Sequence, residues 1–241
     1  MNYIQQQIID AAIREIESPK WAVTEQFLQI HKVVYDGSRP KVARIDTDKG
    51  DGTSIVYFPI EEQNFHLAVY VSTQPEITVA AVHVEPYNCL RFCAFSEKLT
   101  LNELASFTSL KYDDNRSYNI GDRKIEGSPF SHRQSRISFE PNPEPDEFED
   151  KLESLLNFLE QDINGVSALV DKAHGYIQVA ILFHNGNTML GGPHINKDLI
   201  KRMSALSLGV SDDYVCKKRV YGSHLCASVC NAGAINFIGS G

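Results

Sequence analysis

The chain has 241 residues, of which 42% are hydrophobic, and this is enough to form one large domain or two domains of ordinary size. Its 23 basic and 31 acidic residues give a formal net charge of −8, so the surface repels phosphate backbones and a nucleic-acid partner is not expected. No stretch contains the roughly 20 consecutive apolar residues that a membrane-spanning helix needs, so no membrane partner is expected either.

The cysteines and the N-terminal sequence together indicate a cytoplasmic protein with reduced thiols. The cysteines are odd in number, and none belongs to a Cys-x-x-Cys pair. The first residues, MNYIQQQIIDAAIREIE, are interrupted by too many polar side chains to resemble an export signal. Because disulfides are rare in the cytoplasm, we expect the thiols to be free. The five residues are Cys89, Cys93, Cys216, Cys226 and Cys230.

The first 86 residues predict one helix on an antiparallel sheet of four or five strands. The apolar residues Ile4, Ile8, Ala12 and Ile16 recur at helical spacing, and Ser18-Pro19 ends the helix. Residues 21–35 have an ambiguous period, with a strand favoured near the end. Alternating segments at 41–46, 54–60, 65–72 and 77–84 then predict two hairpins. The loop Asp48–Gly52 lacks the spacing of a phosphate-binding loop, so it is interpreted as a hairpin turn.

A strand and a capped helix are predicted next. Cys89–Phe95 is a short apolar strand, and Thr100 with Glu103 has the pattern of a capping box that begins a helix. Cys89 and Cys93 lie four residues apart and therefore share one face of the strand. They are interpreted as small buried residues, because a metal site would need two further ligands and no nearby histidine or cysteine has suitable spacing.

Two polar segments are candidate contact surfaces. Residues 111–136 are somewhat basic and include Arg116 and Arg123. A segment of this length without periodicity is either a functional loop or an irregular connection without a function of its own. An acidic run follows, and it is a candidate contact for a basic partner. Its candidate residues are Glu144, Asp146, Glu147, Glu149, Asp150 and Glu153.

Structural capping is the alternative explanation of the acidic run. Asp146 is expected to be a helix N-cap with Glu149 at the third helical position, and acidic side chains at a helix start are favoured by the helix dipole. The helix that follows is expected to end near Gln161. Its predicted buried stripe consists of Phe148, Leu152, Leu155, Leu156 and Leu159.

The C-terminal part predicts a strand, a helix and a second strand. Residues 176–183 form the most apolar strand of the chain, a turn is expected at Asn185–Asn187, and Gly191-Gly192-Pro193 precedes a helix from about Asn196. Tyr214–Cys216 would be the closing strand. In the tail, residues 218–241, an edge strand or hairpin is favoured over a metal site built from His224, Cys226 and Cys230.

Three segments resemble a bacterial domain family of unknown function, number 4279, over about residues 88–217. They are CLRFCAFSEKLTLNELASFTSLKYDDNRSYNIGD, FEDKLESLLNFLE and YIQVAILFHNGNTMLGGPHINKDLIKRMSALSLGVSDDYV. The shared layout is a strand and helix followed by Gly121-Asp122, then a leucine-rich helix and a late strand–helix–strand. The family usually has Leu-Gly-x-x-Pro after the first helix, whereas Leu110 is followed here by Lys111-Tyr112.

The resemblance implies an α+β fold with antiparallel sheets packed by helices, in which the C-terminal part resembles two ferredoxin-like halves. It implies no catalytic residue, metal or cofactor. Family members occur beside polymorphic toxin systems, and some look like immunity proteins. The chain is therefore expected to be a non-enzymatic protein that binds and neutralises a cognate toxin domain, for which a contact-dependent or secreted basic nuclease is one candidate.

Two alternatives remain open at this point. The first is a small-molecule-binding protein or enzyme with a cleft between two α/β halves, although Ser72, Ser131 and Cys93 lack a nucleophile motif such as GxSxG. The second is an oligomerisation module that pairs through the apolar tail. The predicted organisation is residues 1–86 as a helix with a β-meander, 87–217 as the family-like domain, and 218–241 as the tail.

Overall fold

The computed structural model of the chain describes residues 2–47, 49–124, 129–183 and 194–216. The helices are α1 (Tyr3–Glu17), α2 (Ala22–Leu28), α3 (Leu101–Ala105), α4 (Phe148–Leu159), α5 (Ile163–Ala173) and α6 (Lys197–Ala205). The strands are β1 (Tyr35–Asp36), β2 (Arg39–Pro40), β3 (Arg44–Asp46), β4 (Thr53–Pro59), β5 (His66–Ser72), β6 (Thr78–Glu85), β7 (Tyr87–Ser96), β8 (Ser135–Phe139), β9 (Tyr176–Phe183) and β10 (Gly209–Cys216). The predicted α+β class is confirmed.

The chain divides into two units. The first holds the described residues up to Tyr87, and the second holds most of those from Asn88 onward. A four-stranded sheet lies in each unit, in the order β3-β4-β5-β6 in the first and β10-β9-β7-β8 in the second. In the second unit, β7-α3-β8 and β9-α6-β10 each contribute a strand–helix–strand segment to the one sheet.

Helix α1 has the predicted amphipathic character. Asn2 and Gln5 form a capping box at its start, and the helix ends one residue before Ser18. The predicted stripe is buried from Ile8 to Ile16, whereas Ile4 is 57% exposed in the first turn. The buried stripe packs into a core that includes Val56, Phe58, Leu67 and Val69.

The first sheet is an antiparallel meander, as predicted. β3 pairs with β4, β4 with β5, and β5 with β6, and the last pairing contains an irregularity at Tyr70/Val71. The ambiguous segment 21–35 contains helix α2, which was not predicted, and at its end Tyr35 begins a short hairpin of β1 and β2. Gly37 lies in the turn of that hairpin with φ of +63°, a conformation that glycine adopts without a steric penalty.

The second sheet separates an apolar face from a polar one. Along β7, Leu90, Phe92 and Ala94 alternate with Cys89, Arg91 and Cys93. The Phe92 ring stacks on Phe139 of β8, and Phe139 lies 6.1 Å from Phe158 of α4 between ring centroids. The apolar face thus contributes to the core of this unit.

Helix α3 has the predicted N-terminal cap, whereas helix α4 does not. The Thr100 hydroxyl accepts from the Glu103 N–H, and the Glu103 carboxylate accepts from the Thr100 N–H, so the capping box is confirmed. The N-cap of α4 is Glu147, with no side-chain capping bond, so the assignment of Asp146 as N-cap was wrong. The apolar stripe of α4 is buried as predicted.

Two elements of the second unit were not predicted. Strand β8 begins at the end of the segment 111–136 that was treated as a loop, and it pairs antiparallel with β7 in the register Cys93↔Ser138. Helix α5 follows α4 after a single 3₁₀ turn, Glu160–Asp162, so the helical region continues well past Gln161. Helix α6 begins at the predicted place, with the Asn196 side chain accepting from the N–H groups of Asp198 and Leu199.

Several sequence predictions fall outside the described residues. These are the turn at 185–187, the Gly191-Gly192-Pro193 lead-in, and the tail 218–241 with His224, Cys226 and Cys230. Within the described ranges, no helix combines the length and apolar character that a membrane crossing requires.

Candidate interaction surface

The start of the acidic segment is built into the fold. Asp146 is 5% exposed, and its carboxylate accepts a bond of 2.9 Å from the Asn142 side chain. Its backbone carbonyl accepts from the Asn88 side chain at 3.2 Å. Lys151 is also buried, and its ammonium donates to the Asn142 carbonyl at 3.0 Å. Asp146 therefore supports the entry to α4 from inside the protein.

The remaining acidic candidates differ in exposure. Glu144 and Glu153 are exposed, whereas Glu147, Glu149 and Asp150 are half-buried. The Glu149 carboxylate also accepts the backbone N–H of His194 at 2.7 Å. Contact of this segment with a partner stays a prediction, and Glu144 and Glu153 are the side chains best placed to make it.

The described residues 118–124 and 129–136 form the two arms of an irregular hairpin, which we call the basic hairpin. Tyr118 and Arg136 exchange both backbone bonds at 3.0 and 2.9 Å, so the base of the hairpin extends the β8 edge. Further along, the Gly121 N–H donates to the His132 carbonyl at 2.9 Å, and the His132 N–H donates to the Asp122 carbonyl at 2.8 Å. The rings of Tyr118 and His132 stack with centroids 3.5 Å apart. The segment is therefore ordered by its own bonds and by its attachment to the sheet.

Apolar and basic side chains are exposed together on the basic hairpin. Phe130 is 70% exposed and Ile120 is 43% exposed. Arg123, Lys124 and Arg133 are exposed as well. The predicted contact residue Arg123 thus lies on an open surface of mixed apolar and basic character.

Arg116, the other predicted basic contact residue, lies in a different environment. It occupies a 3₁₀ turn before the basic hairpin, and its Nε is 3.3 Å from a Glu140 carboxylate oxygen and 3.6 Å from an Asp113 carboxylate oxygen. The Glu140 side chain is 3% exposed. Since its guanidinium is paired with two carboxylates, Arg116 is less available to a partner than Arg123.

The sequence analysis overlooked a group of polar side chains on the second sheet. These side chains lie on one face of the sheet because alternate residues of a strand share a face, and because Phe95 pairs with Arg136 and Cys93 with Ser138. We call this group the polar sheet face. Its members are Cys89, Arg91, Cys93 and Phe95 of β7, Arg136 and Ser138 of β8, and Tyr176 and Gln178 of β9.

Arg136 is the centre of one part of the polar sheet face. Its Nη2 donates to the Cys93 sulfur at 3.0 Å and to the Gln178 amide oxygen at 3.1 Å. Its guanidinium carbon lies 5.3 Å from the centroid of the Phe95 ring, and Phe95 stacks on Tyr176 with centroids 5.6 Å apart. A guanidinium and two aromatic rings therefore lie in series across three strands.

Arg91 and Cys89 form the other part. The Arg91 guanidinium donates to the Cys89 sulfur, and its Nε is 3.8 Å from a Glu140 oxygen. The Cys89 thiol donates to the other Glu140 oxygen at 3.2 Å. Burial raises the pKa of the Cys89 thiol, and the charge of Glu140 acts in the same direction while Arg91 opposes it. Cys89 is therefore protonated at neutral pH and is not an activated nucleophile.

Both cysteines were correctly predicted to be buried, but their surroundings are polar rather than apolar. A signal for this was present in the sequence: the arginine in Cys89-Leu90-Arg91-Phe92-Cys93 has the same strand parity as both cysteines. Arg136 could not be placed in the same way, because strand β8 was not predicted.

The comparisons with known proteins give one match. The model of the family described as Domain of unknown function (DUF4279) matches residues 85–217, which is more than half of the chain. A search of curated proteins and a search of solved structures found no match. The basic hairpin and the polar sheet face both lie within the matched residues, and the chain belongs to the DUF4279 family of domains of unknown function.

Proposed function

We propose that this chain is a non-enzymatic protein-binding protein: a cytoplasmic immunity protein that binds and neutralises a cognate toxin domain. The observation that carries the proposal is the exposure of Phe130 on a hairpin that is held by backbone bonds on both arms. An aromatic side chain that is already positioned loses little conformational freedom when a partner covers it.

The composition of the basic hairpin supports this role. Aromatic residues and arginine are enriched in protein–protein interfaces, and they dominate the binding energy where they are buried at the centre of the contact. Residues 118–136 contain four basic and two acidic residues in a chain whose net charge is −8. The hairpin is therefore net basic, whereas the chain as a whole is net acidic. A partner that carries an acidic patch and a basic patch would be oriented by this difference.

The acidic character of the chain supports a second contact with the same partner. Glu144 and Glu153 are exposed on the segment around the start of α4. Toxins that act on nucleic acids have basic substrate-binding surfaces, and acidic side chains accelerate the approach to such surfaces at low salt. We assign the anchoring contact to the basic hairpin and the steering contact to these two acids.

Co-expression with the toxin domain encoded in the neighbouring gene tests the proposal. The chain should restore growth of cells that produce the toxin and should co-purify with it. Phe130→Asp should abolish both effects, whereas Ile163→Asp should abolish neither, because Ile163 is 50% exposed but belongs to α5 and not to the hairpin. The proposal is overturned if the chain neither protects cells nor binds the toxin.

The steering role has its own readout. Glu144→Gln combined with Glu153→Gln should slow association and reduce its salt dependence, with little change in the dissociation rate. Equal association rates for this variant and the unaltered protein would remove the steering role and leave the anchoring role in place.

A further inference from the structure

We propose that the polar sheet face binds a small carboxylate whose body is planar and apolar, with Arg136 as the anchoring residue. This inference does not rest on the toxin-binding proposal, because none of its argument uses Phe130 or the exposed acids.

The charge balance is the first reason. Arg91, Arg116 and Arg136 contribute three positive charges, and Glu140 and Asp113 contribute two negative charges. Arg116 contacts both carboxylates, and Arg91 is close to Glu140. Arg136 is different: in the described part of the chain, its side-chain hydrogen bonds go to a thiol and an amide oxygen, and no carboxylate lies within ion-pair distance. One positive charge is therefore left without a counter-charge.

The burial of this charge is the second reason. Arg136 is half-buried, and its Nε is shielded from solvent and has no hydrogen-bond partner among the residues that the structure describes. An arginine donor that is removed from water without a partner is unfavourable, because the lost hydration is not replaced. An anionic oxygen at this point would supply both the missing acceptor and the missing charge.

The geometry selects the kind of anion. A guanidinium presents its N–H groups in a planar fork that matches the two oxygens of a carboxylate. With one uncompensated positive charge, a monoanion neutralises the group, whereas a phosphate dianion would leave one negative charge in excess. A carboxylate is therefore favoured over phosphate.

The neighbouring rings select the body of the ligand. Phe95 and Tyr176 are half-buried and their rings are nearly parallel, at an interplanar angle of 19°, and the Phe95 ring lies 5.3 Å from the Arg136 guanidinium carbon. We infer that the solvent-accessible part of this aromatic pair is the apolar contact for the ligand. A planar apolar body attached to the carboxylate can contact this surface, which acetate cannot do. Cys93 and Ser138 behind Arg136 are fully buried and define the floor of the site.

Titration of the isotope-labelled full chain with benzoate, acetate and phosphate, at constant ionic strength, tests the inference by NMR. Benzoate should bind saturably and shift the amide signals of Phe95, Arg136 and Gln178, acetate should bind more weakly, and phosphate should cause no specific shift. Absence of saturable benzoate binding, or equal binding of all three anions, would overturn the inference.

Substitutions identify the anchoring residue. Arg136→Gln should weaken benzoate binding by about tenfold or more, the loss expected for a charge-assisted hydrogen bond. Arg136→Lys keeps the charge but loses the planar fork, so it should give an intermediate affinity. It also provides a second test of the anchor if the glutamine variant misfolds. Arg133→Gln is the matched control, because Arg133 is exposed three residues away and should leave the affinity unchanged. If Arg133→Gln and Arg136→Gln weaken binding equally, Arg136 is not the anchor.

Discussion

The Asp162 carboxylate accepts the backbone N–H of Ser109 at a distance of 2.7 Å, across 53 residues of sequence. The same side chain caps helix α5 by accepting from the Gly165 N–H at 2.9 Å, and it accepts from the Thr108 hydroxyl at 2.9 Å. One carboxylate therefore connects the segment after α3 to the start of α5. These bonds stabilise the ionised form and lower the pKa of Asp162 from 3.8 to about 2.

Replacement of Asp162 should destabilise the second unit. Asp162→Ala removes an N-cap and leaves the Ser109 N–H without its acceptor, so the free energy of unfolding should fall by about 1–2 kcal/mol. Urea denaturation followed by circular dichroism measures this. Asp171→Ala is the control on the same helix; Asp171 is exposed near the C-terminal end, where a negative charge is not stabilising, and its replacement should not lower stability.

Asp162 should also contribute to acid sensitivity. Its pKa is lower in the folded state than the usual value, so its contribution is complete above about pH 4 and is lost as the pH falls towards the folded-state pKa of about 2. The stability difference between the unaltered protein and Asp162→Asn should therefore shrink as the pH falls from about 4 to about 2. A difference that stays constant across this interval would contradict the assignment.

Gly165 should not tolerate alanine, although alanine is the better helix former. A Cβ at this position would lie 2.4 Å from the Asp162 carboxylate oxygen and 2.8 Å from the Phe107 carbonyl oxygen. Gly165→Ala should therefore destabilise the protein by about 1–3 kcal/mol, the usual cost of overpacking, instead of stabilising it by up to about 1 kcal/mol. Gly209→Ala is the control, because in the described part of the chain no neighbouring atom lies within 4 Å of the position that a Cβ at residue 209 would take. Thermal unfolding of both variants compares them directly.

The thiols of Cys89 and Cys93 should be protected from alkylation. Both are free and buried, and burial raises the pKa of Cys89. Iodoacetamide at neutral pH should leave both unlabelled in the native protein and label both in concentrated guanidinium, as measured by mass spectrometry of the peptide that contains them. Native labelling of Cys89 at the rate of the unfolded chain would show that the thiol is accessible.

Arg202 and Glu160 should show measurable coupling. Arg202 donates from Nε to one Glu160 oxygen at 2.7 Å and from Nη2 to the other at 2.8 Å, which is a bidentate pair between α6 and the turn after α4. A double-mutant cycle of Arg202→Lys and Glu160→Gln should give about 0.5–1 kcal/mol, since the side chains are 25% and 35% exposed. The exposed pair Lys201–Asp198 should give a coupling close to zero and provides the comparison.

Local sequence patterns correctly predicted those elements whose stabilising interactions join residues that are close together in the sequence. The α1 stripe, the Thr100–Glu103 capping box and the two hairpins of the first unit depend on neighbouring residues, and all are present. Strand β8 has only two large apolar residues, Ile137 and Phe139, and depends on pairing with residues of β7 that lie 39 to 47 positions away in the sequence. Helix α5 contains Gly165, whose low helix propensity is offset by packing that no short window shows.

The contact residues stay predictions, and their surroundings could not be read from spacing. Arg123 lies in the polar segment 111–136, but the hydrogen bonds that make part of this segment a hairpin join residues on separate arms. Asp146 is a residue type that commonly caps helices, but it is buried like a core residue. Its hydrogen bonds to Asn142 and Asn88 could not be inferred from sequence spacing. The environment of Arg136 depends on three strands at once, so it required the sheet order.

The outer side of strand β8 has a consequence for self-association. Its backbone groups are already occupied: Arg136 bonds to Tyr118 in both directions, the Ser138 carbonyl accepts from the Asp113 N–H, and the Ser138 N–H donates to the Ser117 hydroxyl. An edge strand with unpaired backbone donors and acceptors can pair with a strand of another chain, and repeated pairing of this kind produces fibres. The residues from Asp113 to Tyr118 close this border, so the sheet cannot be lengthened there by a second molecule.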